Sequence, residues 1–305
     1  MAGNRDAVLA RRIAVRAGLR PRHVEPIVDL GRVNHVFVIH GDAGRHVVRF
    51  ALDPLRTGGY EVEAWCLTQA AARGIPSPQV VGVGSESGVP YLVETFVEGA
   101  AGTSGGSDGW RVLGAYARII HEIPLDHGAP EGLFTRFGRD PTVAWRAHLN
   151  YNLNALDATD PLLALAVYPP QWQSALRDAV RRLSEAELAF GLIHGDLSLR
   201  NLLLSPDQGP VLLDWDTAAV GPVPDGDLVS LLRAHQAENY PNQSALEAFA
   251  DGCGLKLDDV LPMLRDHLVL GHLDLVRWAR DRRPDLLAET VAASRSGVEF
   301  NLVDR

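Results

Sequence analysis

Lysine is nearly absent from this chain of 305 residues: 28 of its 29 basic residues are arginine, and Lys256 is the exception. Any chemistry before that position that ordinarily uses an ammonium group has to use a guanidinium instead. Cysteine is equally scarce. Cys66 and Cys253 can build neither a disulfide framework nor a four-cysteine zinc site, so a reducing compartment is expected. Apolar runs long enough to cross a bilayer are missing, and segments such as Leu162–Val167 end after one or two helical turns. Arg5, Arg11 and Arg12 are interrupted by Asp6 and followed by no apolar signal core, which predicts a cytoplasmic protein without a membrane partner. An excess of basic charge is also lacking. The formal charge of −9 argues against a nucleic-acid partner and favours a cationic one. What remains, 46% hydrophobic and 22% charged residues, is the balance of a globular chain long enough for two domains.

The pattern along the chain divides in two. Residues 6–19 have apolar positions at helical spacing, ended by Gly18. Short β-branched runs at Ile27–Leu30, Val36–Ile39 and Val47–Phe50 then predict an antiparallel meander, followed by a helix over Gly59–Arg73. Gln79–Val83 and Tyr91–Val97 are two further strand candidates. The Gly- and Ser-rich stretch Gly99–Gly109 reads as a linker. Beyond it the spacing is helical at Trp110–Ile123, Thr142–Leu156, Gln171–Leu188, Asp227–Ala237, Ser244–Asp251, Leu257–Leu270 and Gly271–Arg280. The expected fold class is α+β, with a small β-rich lobe at 1–98, a connector at 99–109 and a larger helical lobe at 110–305.

Residues 191–216, GLIHGDLSLRNLLLSPDQGPVLLDWD, carry the chemistry. Asn201–Leu204 and Val211–Asp214 flank the turn residues Ser205-Pro206-Asp207-Gln208-Gly209. A hairpin with Leu204 facing Val211 sets Asn201 opposite Asp214. Two oxygen-bearing side chains at the open end of a hairpin suit Mg²⁺, which accepts one or two protein oxygens and keeps phosphate and water as its other ligands. Asp196 lies five residues before Asn201, close enough to stand beside the metal pair and accept a proton from a nucleophilic hydroxyl.

His194-Gly195-Asp196, four residues, Asn201 and then Asp214 match the kinase pattern H-x-D-x₄-N…D. With Gly195 and the ending Asp214-Trp215-Asp216, the chain resembles the aminoglycoside phosphotransferase family of small-molecule kinases over nearly its whole length. The resemblance implies a protein-kinase-like bilobal fold, ATP as phosphoryl donor (GTP remaining open) and Mg²⁺ on Asn201 and Asp214. It sets Leu30–Asn34 in the place of the nucleotide-covering loop, where Gly31 and Asn34 would meet phosphate through backbone N–H groups. Arg49 stands where kinases keep the phosphate-holding lysine, with Glu63 as its partner and Glu61 as the competing choice two residues away. The connector Tyr91–Gly99 would take the adenine ring on the Glu94 carbonyl and the Phe96 amide. His121 is read as a hydrogen-bonded core histidine, His194 as a brace of the catalytic loop and Trp215 as packing. Asp227 is read as an N-cap, with Asp225 as its alternative.

The resulting expectation is an enzyme, monomeric or homodimeric, that phosphorylates a hydroxyl of a small cationic molecule, first of all an aminoglycoside-type antibiotic. Glu238, Asp251, Asp258, Asp259, Asp266, Asp274 and Asp281 offer the acidic surface for it. Macrolides, choline-like amines, homoserine and sugars are the other acceptors, and a catalytically silent nucleotide sensor is the alternative from a different class.

Overall fold

The computed structural model describes residues 2–27, 35–52 and 59–303. A first helix, α1 (Ala2–Arg16), covers one face of a five-stranded antiparallel sheet. That sheet holds β1 (Pro21–Pro26), β2 (His35–Gly41), β3 (Gly44–Phe50), β4 (Val80–Glu86) and β5 (Val89–Thr95) in the order β1-β2-β3-β5-β4. Between β3 and β4 runs α2 (Gly59–Ala72). The α1 face is Ala10, Ile13 and Ala14, fully buried against Phe37, Ile39, Val48, Phe50 and Val93. The first strand lies upstream of the expected Ile27–Leu30. β1 is an edge strand with a polar, mostly exposed sequence and a proline at each end, so no β-branched run marks it. Residues 28–30 lie outside the described residues.

The second part begins with β6 (Ala100–Ala101) and α3 (Gly106–His121). It continues through α4 (Pro141–Ala155), the short α5 (Pro161–Ala164) and α6 (Gln173–Glu185). Then come β7 (Ala189–Ile193), β8 (Leu202–Ser205), β9 (Gly209–Leu212) and β10 (Ala219–Val223). The chain closes with α7 (Asp225–Glu238), α8 (Gln243–Cys253), α9 (Leu257–Arg282) and α10 (Leu287–Val303). β7 pairs with β10, and β6, β8 and β9 form a separate three-stranded sheet. The β7–β10 pair and α10 have no counterpart among the elements expected from sequence.

Two expectations are corrected here. The stretch Gly99–Gly109 is folded: β6, a 3-10 turn at Gly102–Gly105 and the first turn of α3 occupy it. Its glycines serve close packing. A Cβ at Gly102 would come within 2.7 Å of the Leu199 and Leu202 carbonyl oxygens, so the segment lies directly on the loop that carries Asn201. The helices expected on either side of Gly271 are one helix, α9. Leu264, Leu268, Val269, Leu270, Leu273 and Val276 bury its length, and that burial outweighs the ~1 kcal/mol cost of an interior glycine.

One buried cluster reaches from Tyr60, Leu67 and Leu92 of the small lobe through Leu113 and Ile120 to Leu192, Leu212, Trp215 and Leu228. The hairpin β8–β9 and the loop before it therefore rest on a core shared by both lobes. No helix among the described residues is long and apolar enough to cross a membrane.

α3 and α8 cross at unusually short range through two glycines. A Cβ at Gly114 would sit 2.0 Å from the Phe249 carbonyl oxygen, and one at Gly252 would sit 2.1 Å from that of Arg111. Neither backbone can yield without separating the helices. Gly114→Ala is expected to destabilise the fold by at least the roughly 1–3 kcal/mol of an overpacked core, read as a lower urea midpoint. An unchanged midpoint would refute this reading of the crossing.

Candidate active site

The hairpin is in place, but its register differs by one residue from the expected one. Leu203 pairs with Val211 and Leu204 with Pro210, because Ser205 and Gly209 close the ladder around a three-residue loop. Gly209 takes the left-handed φ of 75° that closes a three-residue hairpin loop, and it pairs with Ser205 instead of lying within the turn. Asn201 consequently accepts a backbone bond from Leu213 at 2.9 Å, and Asp214 falls one position beyond. Asp214 itself is left-handed at φ 60°. Its Oδ1 lies 3.0 Å from Arg49 Nη2, while its side chain stays 40% exposed. The two proposed metal ligands thus stand at the same end of the hairpin, by a backbone turn and not by cross-strand pairing.

The loop before the hairpin is held from below. His194 is fully buried; its Nε2 lies 3.1 Å from the Leu213 carbonyl, and the Asp196 amide donates to its Nδ1 at 3.3 Å. Burial lowers its pKa, against the charge of Asp227, so a neutral ring with the proton on Nε2 satisfies both contacts. Gly195 is left-handed at φ 81°, and a Cβ there would meet the Thr217 carbonyl at 2.6 Å. Asp227 is not an N-cap: α7 starts at Asp225 and has no side-chain cap. Its buried carboxylate accepts the Gly195 amide at 2.8 Å through Oδ1 and meets His121 Nε2 at 3.0 Å through Oδ2. His121 is the core histidine that sequence predicted, and its partner is now identified.

Asp196 is presented by this braced turn. Asn201 Nδ2 donates to the Asp196 carbonyl and to its Oδ2, both at 2.9 Å. That fixes which end of the Asn201 amide is nitrogen and leaves Oδ1 as its free acceptor. Asn201 Oδ1 and Asp214 Oδ2 are therefore two hard oxygens available to a cation. No cluster of three or more His, Cys, Asp or Glu side chains suited to a metal occurs among the described residues. A magnesium ion held by Asn201 and Asp214 would draw its remaining ligands from phosphate and water, which fits its ordinary chemistry. Sequence reasoning missed Arg200, whose Nη2 lies 2.8 Å from both oxygens of Asp196.

Arg49 is buried on β3 and pairs with Glu63 of α2, as well as with Asp214. Glu61 is exposed on the outer side of the same helix. Burial acts to lower the Arg49 pKa, but Glu63, Glu94 and Asp214 outweigh it and raise the value above that of ordinary arginine. Burial also pushes the Glu63 carboxyl up, with Arg49 acting in the opposite sense. Glu94 lies opposite Val47 on β5, diagonal to Arg49, so its side chain is a third carboxylate around one guanidinium. Sequence reasoning had used only its carbonyl.

The Phe96 amide is not free for a base. It donates to the Arg45 carbonyl at 3.1 Å, and the Thr95 amide donates to the Gln79 carbonyl at 2.9 Å. Gly31 and Asn34 lie outside the described residues.

Glu94 generates a pH prediction. Burial comes first and pushes its carboxyl from 4.5 up to about 7, with Arg49 opposing and Glu63 and Asp214 adding. Between those values the folded chain holds a proton that the unfolded chain has lost, so stability falls as pH rises through that window. Glu94→Gln is expected to be more stable than the parent at pH 8 by on the order of 2 kcal/mol, read as a higher unfolding temperature, and close to the parent at pH 5. Equal differences at both pH values would contradict the assignment.

The comparisons with known proteins fit this geometry. A family model described as the phosphotransferase enzyme family matches residues 26–259. A spectinomycin phosphotransferase, APH(9)-Ia, solved with ADP and spectinomycin, superposes with a TM-score of 0.58 at 16% identity over 97% of each chain. The macrolide 2'-phosphotransferase MphH from Brachybacterium faecium gives 0.59 at 20% identity over 98% of each chain. A thermostable mutant of the aminoglycoside phosphotransferase APH(4)-Ia, solved with ADP and hygromycin B, gives 0.61 at 15% identity over 95% of this chain and 98% of its own. At such identities these likenesses establish a shared kinase-like α+β fold. No curated protein sequence gives a significant match. The family model covers well over half of the chain, and the chain belongs to the phosphotransferase enzyme family.

Proposed function

We propose that the protein transfers the γ-phosphoryl group of ATP to a hydroxyl of a small molecule, with Mg²⁺ as cofactor. The observation that carries this reading is the Asp196 carboxylate, held by Asn201 on a loop braced by His194 and Asp227. Asp196 orients the acceptor hydroxyl and takes its proton, a role worth about 10²–10⁴-fold in rate. Arg49 holds nucleotide phosphates at the floor of the cleft, and Asn201 and Asp214 hold the metal. Bound there, Mg²⁺ supplies charge neutralisation between the phosphates. Arg49 keeps the charge of the usual lysine and adds a fork, its two terminal nitrogens already divided between Glu63 and Asp214. The adenine edge is read by backbone, which leaves GTP a competing donor. A cytoplasmic location goes with ATP as donor.

An aminoglycoside-type antibiotic is the first acceptor class to test, but its electrostatic basis is narrower than the sequence implied. Asp266 is taken by Arg182 at 2.7 Å, Asp274 by His148 at 2.7 Å, Asp281 by Arg280 at 2.9 Å, and Asp251 faces Arg111 at 3.8 Å. Asp258 and Asp259 make no ion pair with a basic side chain among the described residues, and Glu238 lies within electrostatic reach of Arg200. A larger, more apolar acceptor of macrolide type is the second reading. The paired acids support it, as does Tyr240, half exposed and edge-on to Trp110 at 5.9 Å.

Three measurements test the proposal. In an ADP-release assay across aminoglycosides, macrolides, amino alcohols and sugars, one class should raise turnover well above the acceptor-free rate. Asp196→Asn should lose about 10²–10⁴-fold of that turnover and keep its ADP affinity; near-normal turnover would remove Asp196 from the base role. Asp214→Ala should weaken nucleotide binding in the presence of Mg²⁺ by calorimetry. Wild-type affinity in that variant would remove Asp214 from the metal site and favour a silent sensor that holds nucleotide by other contacts.

A further inference from the structure

The base proposed for the reaction is capped. Both oxygens of Asp196 lie 2.8 Å from Arg200 Nη2, and Oδ2 also accepts from Asn201 Nδ2 at 2.9 Å. Of the roughly four acceptor sites of a carboxylate, three are so engaged, and the departure of one partner opens the group to an acceptor hydroxyl. Asn201 cannot be that partner, because it is buried and its nitrogen is also bound to the Asp196 carbonyl. Arg200 can leave. Its side chain is 72% exposed, and an exposed ion pair between residues four apart is weak enough to exchange.

Its destination follows from charge. Asp196, Asp214 and Glu238 all act to raise the Arg200 pKa, so the guanidinium stays charged wherever it moves within that set. Asp214 marks the side of the cleft on which phosphate would lie. A terminal phosphate offers more charge and more acceptor oxygens than one carboxylate, and a guanidinium matches them by its fork. On the phosphotransferase reading above, we propose that Arg200 gates the catalytic carboxylate: it caps Asp196 while no acceptor is bound, and passes to the terminal phosphate of the nucleotide when an acceptor hydroxyl takes its place.

The transfer then balances. The hydroxyl proton goes to Asp196, the bond from that oxygen to phosphorus forms, and the bond from phosphorus to the bridging oxygen breaks to release ADP. The proton leaves Asp196 for solvent as Arg200 returns. In the capped state a water molecule meets a carboxylate with most of its acceptor sites taken, so the gate protects ATP from wasteful hydrolysis.

The test uses the full chain and two readouts. Arg200→Ala should raise acceptor-independent ADP release several-fold and lower turnover with acceptor, while Arg200→Lys restores the low background, since a single nitrogen makes both contacts. A background rate in Arg200→Ala that is unchanged or lower would overturn the gate and leave Arg200 a plain surface residue or phosphate ligand. The second readout is binding alone. Asp196→Asn should free Arg200 and tighten AMP-PNP relative to ADP by calorimetry, by at least about threefold more than the same substitution does in an Arg200→Ala background. An equal gain in both backgrounds would be simple charge repulsion and would sink the proposal. Failure of the wild type to bind either nucleotide would sink the phosphotransferase reading, and the gate with it.

Discussion

One guanidinium surrounded by three carboxylates organises this cleft. Arg49 comes from β3, Glu63 from α2, Glu94 from β5, and Asp214 from the turn after β9. Burying a charge is costly unless it is paired. The arginine therefore cannot leave its carboxylates, and through them it ties the small sheet to the hairpin of the larger lobe. With its carboxylates ionised, as Glu94 is above about pH 7, the group as a whole has more negative than positive charge. That excess is unfavourable for the empty cleft, and a cation placed among its oxygens relieves it. The same contacts that close the lobes together thus leave a site that attracts positive charge.

The opposite wall depends on a different kind of support. The loop from His194 to Asn201 has little regular structure of its own, yet most of its polar backbone is accounted for. Asp227 holds the Gly195 amide, Thr217 Oγ1 donates to the His194 carbonyl at 2.9 Å, and Gly102 brings the connector onto Leu199 and Leu202. Beneath it lie Leu197, Leu199, Leu202 and Trp215 in the shared core. Hydrophobic burial here sets the position of the loop, and hydrogen bonds set its shape. The exposed head of Arg200 is the least constrained part of the arrangement, and mobility is expected to concentrate there.

Much of this was legible in the residues themselves. The spacing of Asp196, Asn201 and Asp214 needs only a hairpin between the last two, and the turn chemistry of Ser205–Gly209 announces one. The scarcity of lysine and the kinase resemblance singled out Arg49, and the family spacing to Gly74 put Glu63 ahead of Glu61. The rest was hidden for physical reasons. Register depended on whether Gly209 belongs to the strand or the turn, which composition alone does not decide. Glycines at 99–109 look the same whether they serve freedom or close approach. The engagement of the Phe96 amide is a backbone event with no side-chain signal. β1 and β7 take their strand form from partners distant in sequence, so their own residues show little of it. The bond from Asp227 to Gly195 spans 32 residues and leaves no trace in local spacing.

Arginine at position 49 also changes which side of the cleft can answer to acidity. A desolvated lysine can shed its proton and fall neutral, whereas a guanidinium does not. The positive member of this cluster is therefore constant across the working range, and every protonation event among the four groups belongs to a carboxylate. Reagents that modify amines, which would mark a phosphate-holding lysine, have no target in this cleft. The lone amine side chain of the chain, Lys256, is exposed ahead of α9. It offers the one side-chain amine for a fluorophore or a surface tether, and such labelling leaves Arg49 untouched.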